Sequence, residues 1–117
     1  MTEFDKITAA MQNRKPVDED ATRELVLYAE NDSMTYHYSA LPACENLIRK
    51  VKRGQYDAVK AVKLFEYVAE YAAKHYAKEF ARPEDWHKIF TVDTRRHAAI
   101  ELSERYQEYI NEEARRA

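Results

Sequence analysis

Glycine, proline and cysteine are all scarce in this sequence. The chain of 117 residues has one glycine, three prolines and one cysteine. Glycine and proline provide most tight turns, so their scarcity leaves room for only short connections between regular elements. A single glycine also excludes a glycine-rich loop that binds phosphate. The lone cysteine, Cys44, excludes an internal disulfide and a thiolate metal site, which is typical of a reducing compartment.

An excess of one charge and a long apolar run are also lacking. Lysine and arginine number 19 and aspartate and glutamate 21, for a net charge of -2. Proteins that bind nucleic acids usually carry a basic excess, so the total charge gives no sign of that function. The first residues, MTEFDKITAAMQNRK, have no apolar core of a signal peptide, and no charge-free run could cross a bilayer. We therefore expect a cytoplasmic protein with no membrane association.

What the sequence does have is helical periodicity, most clearly between Gly54 and Phe80. Asp57 can cap the start of a helix with its carboxylate, and Gly54 can adopt the left-handed conformation that ends a preceding helix. Apolar residues then recur three and four positions apart, which places them on one helical face. They are Ala58, Ala61, Val62, Phe65, Val68, Ala69, Ala72, Ala73, Tyr76 and Phe80. This pattern predicts a central, mostly buried helix at about 57–80.

Three further main helices are predicted around it. One covers 18–30, one covers 33–53, and the last begins near Val92 and continues towards residue 113. The 33–53 helix should be kinked near Tyr38, because Pro42 lacks a backbone N–H and crowds the carbonyl four residues earlier. Pro83 begins a short helical turn. The fold is therefore predicted to be a single all-α domain over 1–117, a small bundle of about four main helices, in which residues 1–16 form a loosely packed helix or arm.

Each predicted helix carries its own apolar stripe. On the 33–53 helix the stripe is Met34, Tyr38, Leu41, Cys44, Ile48 and Val51. On the last helix it is Val92, Ala99, Leu102, Tyr106, Tyr109 and Ile110. Phe4, Ile7 and Met11 would share one side of a short helix at 3–13. We expect Trp86, Ile89 and Phe90 to close one end of the bundle.

These residues resemble a family of small proteins encoded by tailed bacteriophages and related mobile elements. The resemblance covers roughly residues 22–105. It is carried by Leu25-x-x-Tyr28-x-x-Asn31-Asp32, Pro42 with Asn46-Leu47, Lys52-x-Gly54-x-Tyr56-Asp57, Ala61-Val62-Lys63-Leu64, Tyr76-x-Lys78-Glu79-Phe80, and Trp86 followed by Phe90. It implies an all-helical fold and a phage or plasmid origin, and it implies no particular activity.

The sequence contains few candidates for catalysis. His75 and Glu79 have the spacing of two metal ligands on one helix, but a catalytic zinc site needs about three, and only His87 and His97 could add to them. Cys44 lies on an apolar stripe, where a cysteine is usually inert. We therefore expect no metal site, no cofactor and no enzymatic activity.

Tyrosine is unusually frequent, with nine residues. Tyr28, Tyr38, Tyr76, Tyr106 and Tyr109 lie on predicted inward faces. Tyr36, Tyr67 and Tyr71 lie nearer the flanks of their helices, where a partly exposed tyrosine offers a large contact area at low entropic cost. Together with Trp86, these three are the candidate residues for binding a partner protein.

A basic group around the Gly54 turn gives an alternative. Arg49, Lys50, Arg53, Lys60 and Lys63 could form one patch beside Tyr56. Basic side chains next to an aromatic ring are typical of proteins that bind a nucleic-acid backbone and stack on its bases. The alternative function is therefore nucleic-acid binding at this patch.

The favoured interpretation is a non-catalytic accessory protein of a phage or mobile element that acts by binding another protein. One form of such a role is inhibition of a host defence system such as CRISPR. The sequence does not identify the partner, and it leaves open whether the partner is a second copy of the chain.

Overall fold

The computed structural model describes residues 14–80 and 82–116, together with Lys6 and Ala10. In chain order the elements are α1 (Glu19–Asn31), α2 (Ser33–Thr35), a π-helical turn (Tyr36–Ala40), α3 (Leu41–Lys52), α4 (Ala58–Glu79), a 3₁₀ turn (Pro83–Asp85), α5 (Trp86–Ile89) and α6 (Val92–Arg115). Every regular element in this part is helical, which confirms the predicted all-α bundle. Most of the predicted helix at 3–13 lies outside the described residues. No helix among those described has both the length and the apolar character needed to cross a membrane.

Aspartate caps begin the helices at the predicted places. The carboxylates of Asp18, Asp32 and Asp57 each accept a backbone N–H from the first turn that follows, at 2.9 to 3.0 Å. These N–H groups have no partner inside the helix, so the caps stabilise the first turns of α1, α2 and α4. The predicted cap at Asp57 is thus confirmed.

The single glycine ends α3 as predicted. Gly54 has a φ of 68°, which is the left-handed region. Its N–H donates to the carbonyl of Val51 at 3.0 Å, and the N–H of Gln55 donates to the carbonyl of Lys50 at 2.8 Å. These two bonds form a Schellman motif, which satisfies carbonyls at the helix end and turns the chain towards Asp57.

The helical stretch from Ser33 to Lys52 is interrupted just before Pro42. There the N–H of Leu41 donates to the carbonyl of Tyr36, five residues earlier, so this turn is wider than an α-helical turn. Proline cannot supply the usual hydrogen bond and crowds the preceding turn. The predicted interruption near Tyr38 is therefore found, in the form of a π-helical turn.

The π-helical turn changes which residues face the core. The buried positions are Thr35, Ala40, Ala43, Cys44 and Leu47. Met34 and Tyr38, which we predicted to be buried, are 44% and 67% exposed. That prediction was wrong because it assumed an α-helical spacing throughout, whereas the wider turn rotates the segment before it relative to the segment after it.

The core is centred on the two long helices, α4 and α6, which contact each other more extensively than any other pair of described elements. Phe65 of α4 is fully buried, and its ring stacks on that of Tyr106 of α6, with 5.5 Å between centroids. Several buried positions on both helices are alanine, whose small side chain lets two helices approach closely. These buried alanines are Ala61, Ala69, Ala72, Ala73, Ala98 and Ala99. The prediction that α4 organises the core is confirmed.

Predicted core positions near helix ends are exposed. Ala58 and Val92 are the first residues of α4 and α6, and Phe80 follows the last residue of α4; all three are exposed. Tyr109, near the end of α6, is also exposed. Periodicity predicts on which face of its helix a side chain lies. At these positions none of the described helices packs against that face. The predicted packing of Trp86, Ile89 and Phe90 is confirmed. Phe90 is buried, and Trp86 and Ile89 pack against the core.

Candidate binding groove

Side chains of α3, α4 and the turn between them line a groove of about 620 Å³. Its lining residues are Asn46, Leu47, Lys50, Gln55, Asp57, Lys60, Lys63, Leu64 and Tyr67. We call it the lysine groove. It combines three residues of the predicted basic patch with one of the tyrosines predicted to bind a partner.

The groove carries positive charge that the protein does not neutralise. Lys50 and Lys60 are exposed and make no ion pair within the described part of the chain. Lys63 contributes a third ammonium group to the lining. The carboxylate in the lining, that of Asp57, already accepts the N–H groups of Val59 and Lys60 at 2.9 and 3.3 Å. The groove therefore favours an anionic ligand.

Apolar and aromatic surface lies beside the lysines. Leu64 is half-buried and presents carbon surface to the groove, whereas Leu47 is buried beneath it. Tyr67 is 61% exposed, as the sequence predicted for a helix flank. The neighbouring carboxylates are paired elsewhere: Glu66 lies 3.4 Å from Arg96, and Glu70 lies 3.1 Å from Lys74. Tyr67 thus has a large exposed surface in the same groove as Lys50 and Lys60.

The remaining members of the predicted basic patch lie outside the groove. Arg49 and Arg53 are exposed and are absent from its lining. Tyr56 is half-buried and packs against the core. Its hydroxyl donates to the side chain of Gln107 on α6, and it lines a different cavity. Tyr56 therefore lines a different cavity from Lys50, Lys60 and Lys63.

The other predicted partner-binding residues are engaged within the protein. Tyr36 packs against the core. Tyr71 is half-buried, and its ring stacks on that of His75 with centroids 6.2 Å apart. Two cations lie over the Trp86 ring: the Lys74 ammonium at 4.9 Å and the Arg95 guanidinium carbon at 4.7 Å. Of the four candidates, Tyr67 is the one that offers most of its ring to a partner.

A hydrogen-bonded network that the sequence pattern does not reveal joins α1, the start of α2, and α4. The hydroxyl of Tyr28 donates to Glu79 at 2.7 Å and lies 2.9 Å from Nδ1 of His75. The same Nδ1 lies 2.8 Å from a carboxylate oxygen of Asp32. Tyr28 has only one hydroxyl hydrogen, and it donates that hydrogen to Glu79. Nδ1 of His75 must therefore carry a hydrogen of its own. Only the four-residue spacing of His75 and Glu79 pointed to this network in the sequence.

Asp32 is the electrostatic centre of that network. Burial alone would raise the pKa of its carboxyl, but hydrogen bonds from the Thr35 hydroxyl and N–H, together with nearby His75, outweigh burial and lower the pKa. The carboxylate thus stays charged and holds α2 and α4 together. His75 uses its Nδ1 and Glu79 one carboxylate oxygen in this network, so their spacing serves contacts between helices. No group of three potential metal-ligating side chains is found in the residues described.

Cys44 has the environment of a structural cysteine. Its side chain is 1% exposed within the core. Burial, assisted by the negative charge of Glu45, raises the pKa of the Cys44 thiol to about 12. The thiolate that nucleophilic chemistry requires is therefore disfavoured.

A second polar cluster attaches residues 14–17 to the start of α6. The carboxylate of Asp93 accepts the Arg14 guanidinium at 2.6 Å and the N–H of Val17 at 2.9 Å. His97 is buried, and its Nε2 lies 3.7 Å from Asp93 without a hydrogen-bond partner. Burial lowers the pKa of His97, and the positive charge of Arg14 lowers it further. The negative charge of Asp93 raises the pKa, but by less than burial lowers it. His97 is thus held in its neutral form.

This environment predicts a loss of stability in mild acid. In the unfolded chain His97 binds a proton near its ordinary pKa of about 6.5, whereas the folded protein resists protonation. The free energy of unfolding should therefore fall as the pH drops below about 6.5. We expect His97→Gln to lose less stability than the wild type between about pH 7.5 and pH 5.5, as measured by urea denaturation. His87→Gln, at an exposed position, is the control. Parallel pH profiles for all three proteins would contradict the prediction.

Comparisons of this chain with protein-family models, with curated proteins and with solved structures gave no match.

Proposed function

We propose that this protein acts by binding another protein and that the lysine groove, with Tyr67 at its edge, is the contact surface. The observation that carries the proposal is the placement of the unpaired ammonium groups of Lys50 and Lys60 in one groove with a largely exposed tyrosine. Exposed aromatic residues supply much of the energy of protein interfaces. Charges that the protein does not pair internally are available to a partner.

The proposal is one of binding without catalysis. The two best candidates for chemistry are Cys44 and His75. Cys44 is buried and the pKa of its thiol is raised. His75 contacts Tyr28 and Asp32 through its Nδ1. The phage or mobile-element setting, with inhibition of a host defence system such as CRISPR as one form of it, rests on the sequence resemblance alone. In that setting the partner would be a host protein in the cytoplasm.

Nucleic-acid binding is the second candidate, and the observation that favours it is the convergence of Lys50, Lys60 and Lys63. Against it, Tyr56 is turned towards Gln107, so Tyr67 would have to replace it as the stacking ring. If nucleic acid is the ligand, affinity must fall steeply with salt, because each neutralised phosphate releases counterions.

Pairs of charge reversals test the groove. We expect wild-type protein to capture a specific partner from host lysate, and the double variant Lys50→Glu with Lys60→Glu to lose at least about tenfold of that capture. Tyr67→Ala should also lose capture, since a hot-spot side chain contributes about 2 kcal/mol or more. The amount of the same partner is measured by quantitative mass spectrometry.

The control is Lys78→Glu with Lys88→Glu, an equal change of charge at exposed positions outside the groove. Equal capture by the groove and control variants would contradict the proposal. A mobility shift with single-stranded DNA at about 50 mM salt, lost in the groove variant alone and absent at about 200 mM, would favour the second candidate.

A further inference from the structure

The lysine groove is divided along its length into a basic end and an apolar end. On α3, Lys50 lies near the Gly54 turn and Leu47 about one helical turn further away. On α4, Lys60 and Lys63 again precede Tyr67 in the direction away from that turn. Lys50 and Lys60 therefore lie towards the turn, and Lys63 lies between Lys60 and Tyr67. The carbon surface of Leu64 and Tyr67 lies at the end away from the turn.

The groove has the length of a short peptide segment. From Lys60 to Tyr67 it follows α4 for seven residues, which is about 10 Å at about 1.5 Å per residue. A ligand of about two helical turns would span it. An acidic side chain at the basic end would then lie about seven positions from an apolar side chain at the other end, because positions two turns apart share a helical face.

We infer that the groove binds an acidic amphipathic segment of a partner protein, with one or two carboxylates against Lys50 and Lys60 and a large apolar side chain against Leu64 and Tyr67. This inference rests on the proposed function and adds the chemistry of the partner. Charge complementarity acts at the basic end of the groove, where Lys50 and Lys60 make no ion pair within the described chain. The apolar end gives the ligand its orientation.

The surroundings of Tyr67 favour such a segment over a nucleic-acid backbone. A backbone carries a phosphate at every nucleotide, so charge would continue past the basic end of the groove. There the nearby cations Arg96 and Lys74 are already paired with Glu66 and Glu70, which flank Tyr67. An amphipathic peptide instead places carbon at that end. Lysine also recognises an anion as a point charge, without the paired geometry that arginine offers.

Selection from a random peptide library displayed on phage tests this inference on the full-length protein. We expect enriched peptides to carry Asp or Glu about seven positions from Leu, Ile, Phe or Trp, which is two turns of a helix. A synthetic copy of an enriched peptide should bind in fluorescence anisotropy. Its affinity should fall at least about tenfold for Lys50→Gln with Lys60→Gln, and about as much for Tyr67→Ala. Lys78→Gln with Lys88→Gln should leave it unchanged. Replacing the acidic residues of the peptide by their amides should reproduce the loss caused by the lysine variant.

The result that overturns the inference differs from the result that overturns the proposed function. Enrichment of neutral or basic peptides, enrichment of none, or displacement of the acidic peptide by a single-stranded oligonucleotide at lower concentration overturns the inference. If capture of a lysate partner still depends on Lys50, Lys60 and Tyr67, the proposed function stands and only the chemistry of the partner is wrong. If neither peptides nor a partner depend on the groove, both fail.

Discussion

Replacing Phe65 by alanine is expected to destabilise the protein by about 3–5 kcal/mol, the range for removing a buried aromatic side chain. Phe65 is fully buried in the centre of α4 and stacks on Tyr106 of α6. The change removes buried carbon surface and leaves a cavity between the helices that form the core. Since a domain of this size is stable by only about 5–15 kcal/mol, much of the variant should unfold at modest urea concentrations.

The control for this prediction lies two residues away on the same helix. Tyr67→Ala removes a side chain of similar size, but one that is 61% exposed. Its effect on the free energy of unfolding should remain within about 0.5 kcal/mol. Urea denaturation followed by circular dichroism measures both. Similar losses for the two variants would show that Tyr67 is packed rather than free, which would also weaken its assignment to the groove.

Replacing Asp32 by alanine is expected to cost about 2–4 kcal/mol, because the carboxylate serves three partners. It caps α2 through the N–H of Thr35, accepts the buried hydroxyl of Thr35 at 2.7 Å, and lies 2.8 Å from Nδ1 of His75. Loss of a cap costs about 1 kcal/mol. A buried hydroxyl without an acceptor adds about 1–3 kcal/mol.

Asp32→Asn separates the hydrogen bonds from the charge. Asparagine is also a good cap and can accept from Thr35, so this variant should lose clearly less stability than Asp32→Ala in the same urea measurement. A loss for the alanine variant no larger than that of a simple cap would mean that the Thr35 hydroxyl has found another acceptor, and the network would then be less important than its geometry indicates.

Local features of this fold could be read from the sequence because their chemistry is local. An aspartate before a helix can satisfy only the N–H groups that follow it, and Gly54 is the one residue that enters the left-handed region without strain. These positions fixed the start of α4 and the end of α3. The periodicity of α4 likewise predicted Phe65 and the buried alanines, since a regular helix keeps its phase.

The errors arose where the backbone or the covering of a face depends on distant contacts. The π-helical turn has no signature of its own beyond Pro42, so the rotation that exposes Tyr38 could not be predicted. Phe80 and Val92 are exposed because none of the described helices covers them. Such coverage is a property of the assembled bundle.

The candidate groove was only half visible in the sequence. The sequence pattern places Lys50, Lys60 and Lys63 beside Tyr56. It places Tyr67 with the other tyrosines on helix flanks. Tyr56 lies in the turn, whose direction depends on the packing of α6, and it bonds Gln107 there. Tyr67 lies seven residues after Lys60 on α4, two helical turns along the same face, and this spacing is the signal that could have joined them.

The buried alanines of α4 and α6 decide how this protein can diverge. These alanines are fully buried in the core, and an added methylene group in a packed core typically costs about 1–3 kcal/mol. The lysines and the tyrosine of the groove carry no such restriction, since their side chains meet solvent. Descendants of this sequence would therefore vary the groove more readily than they would alter their scaffold.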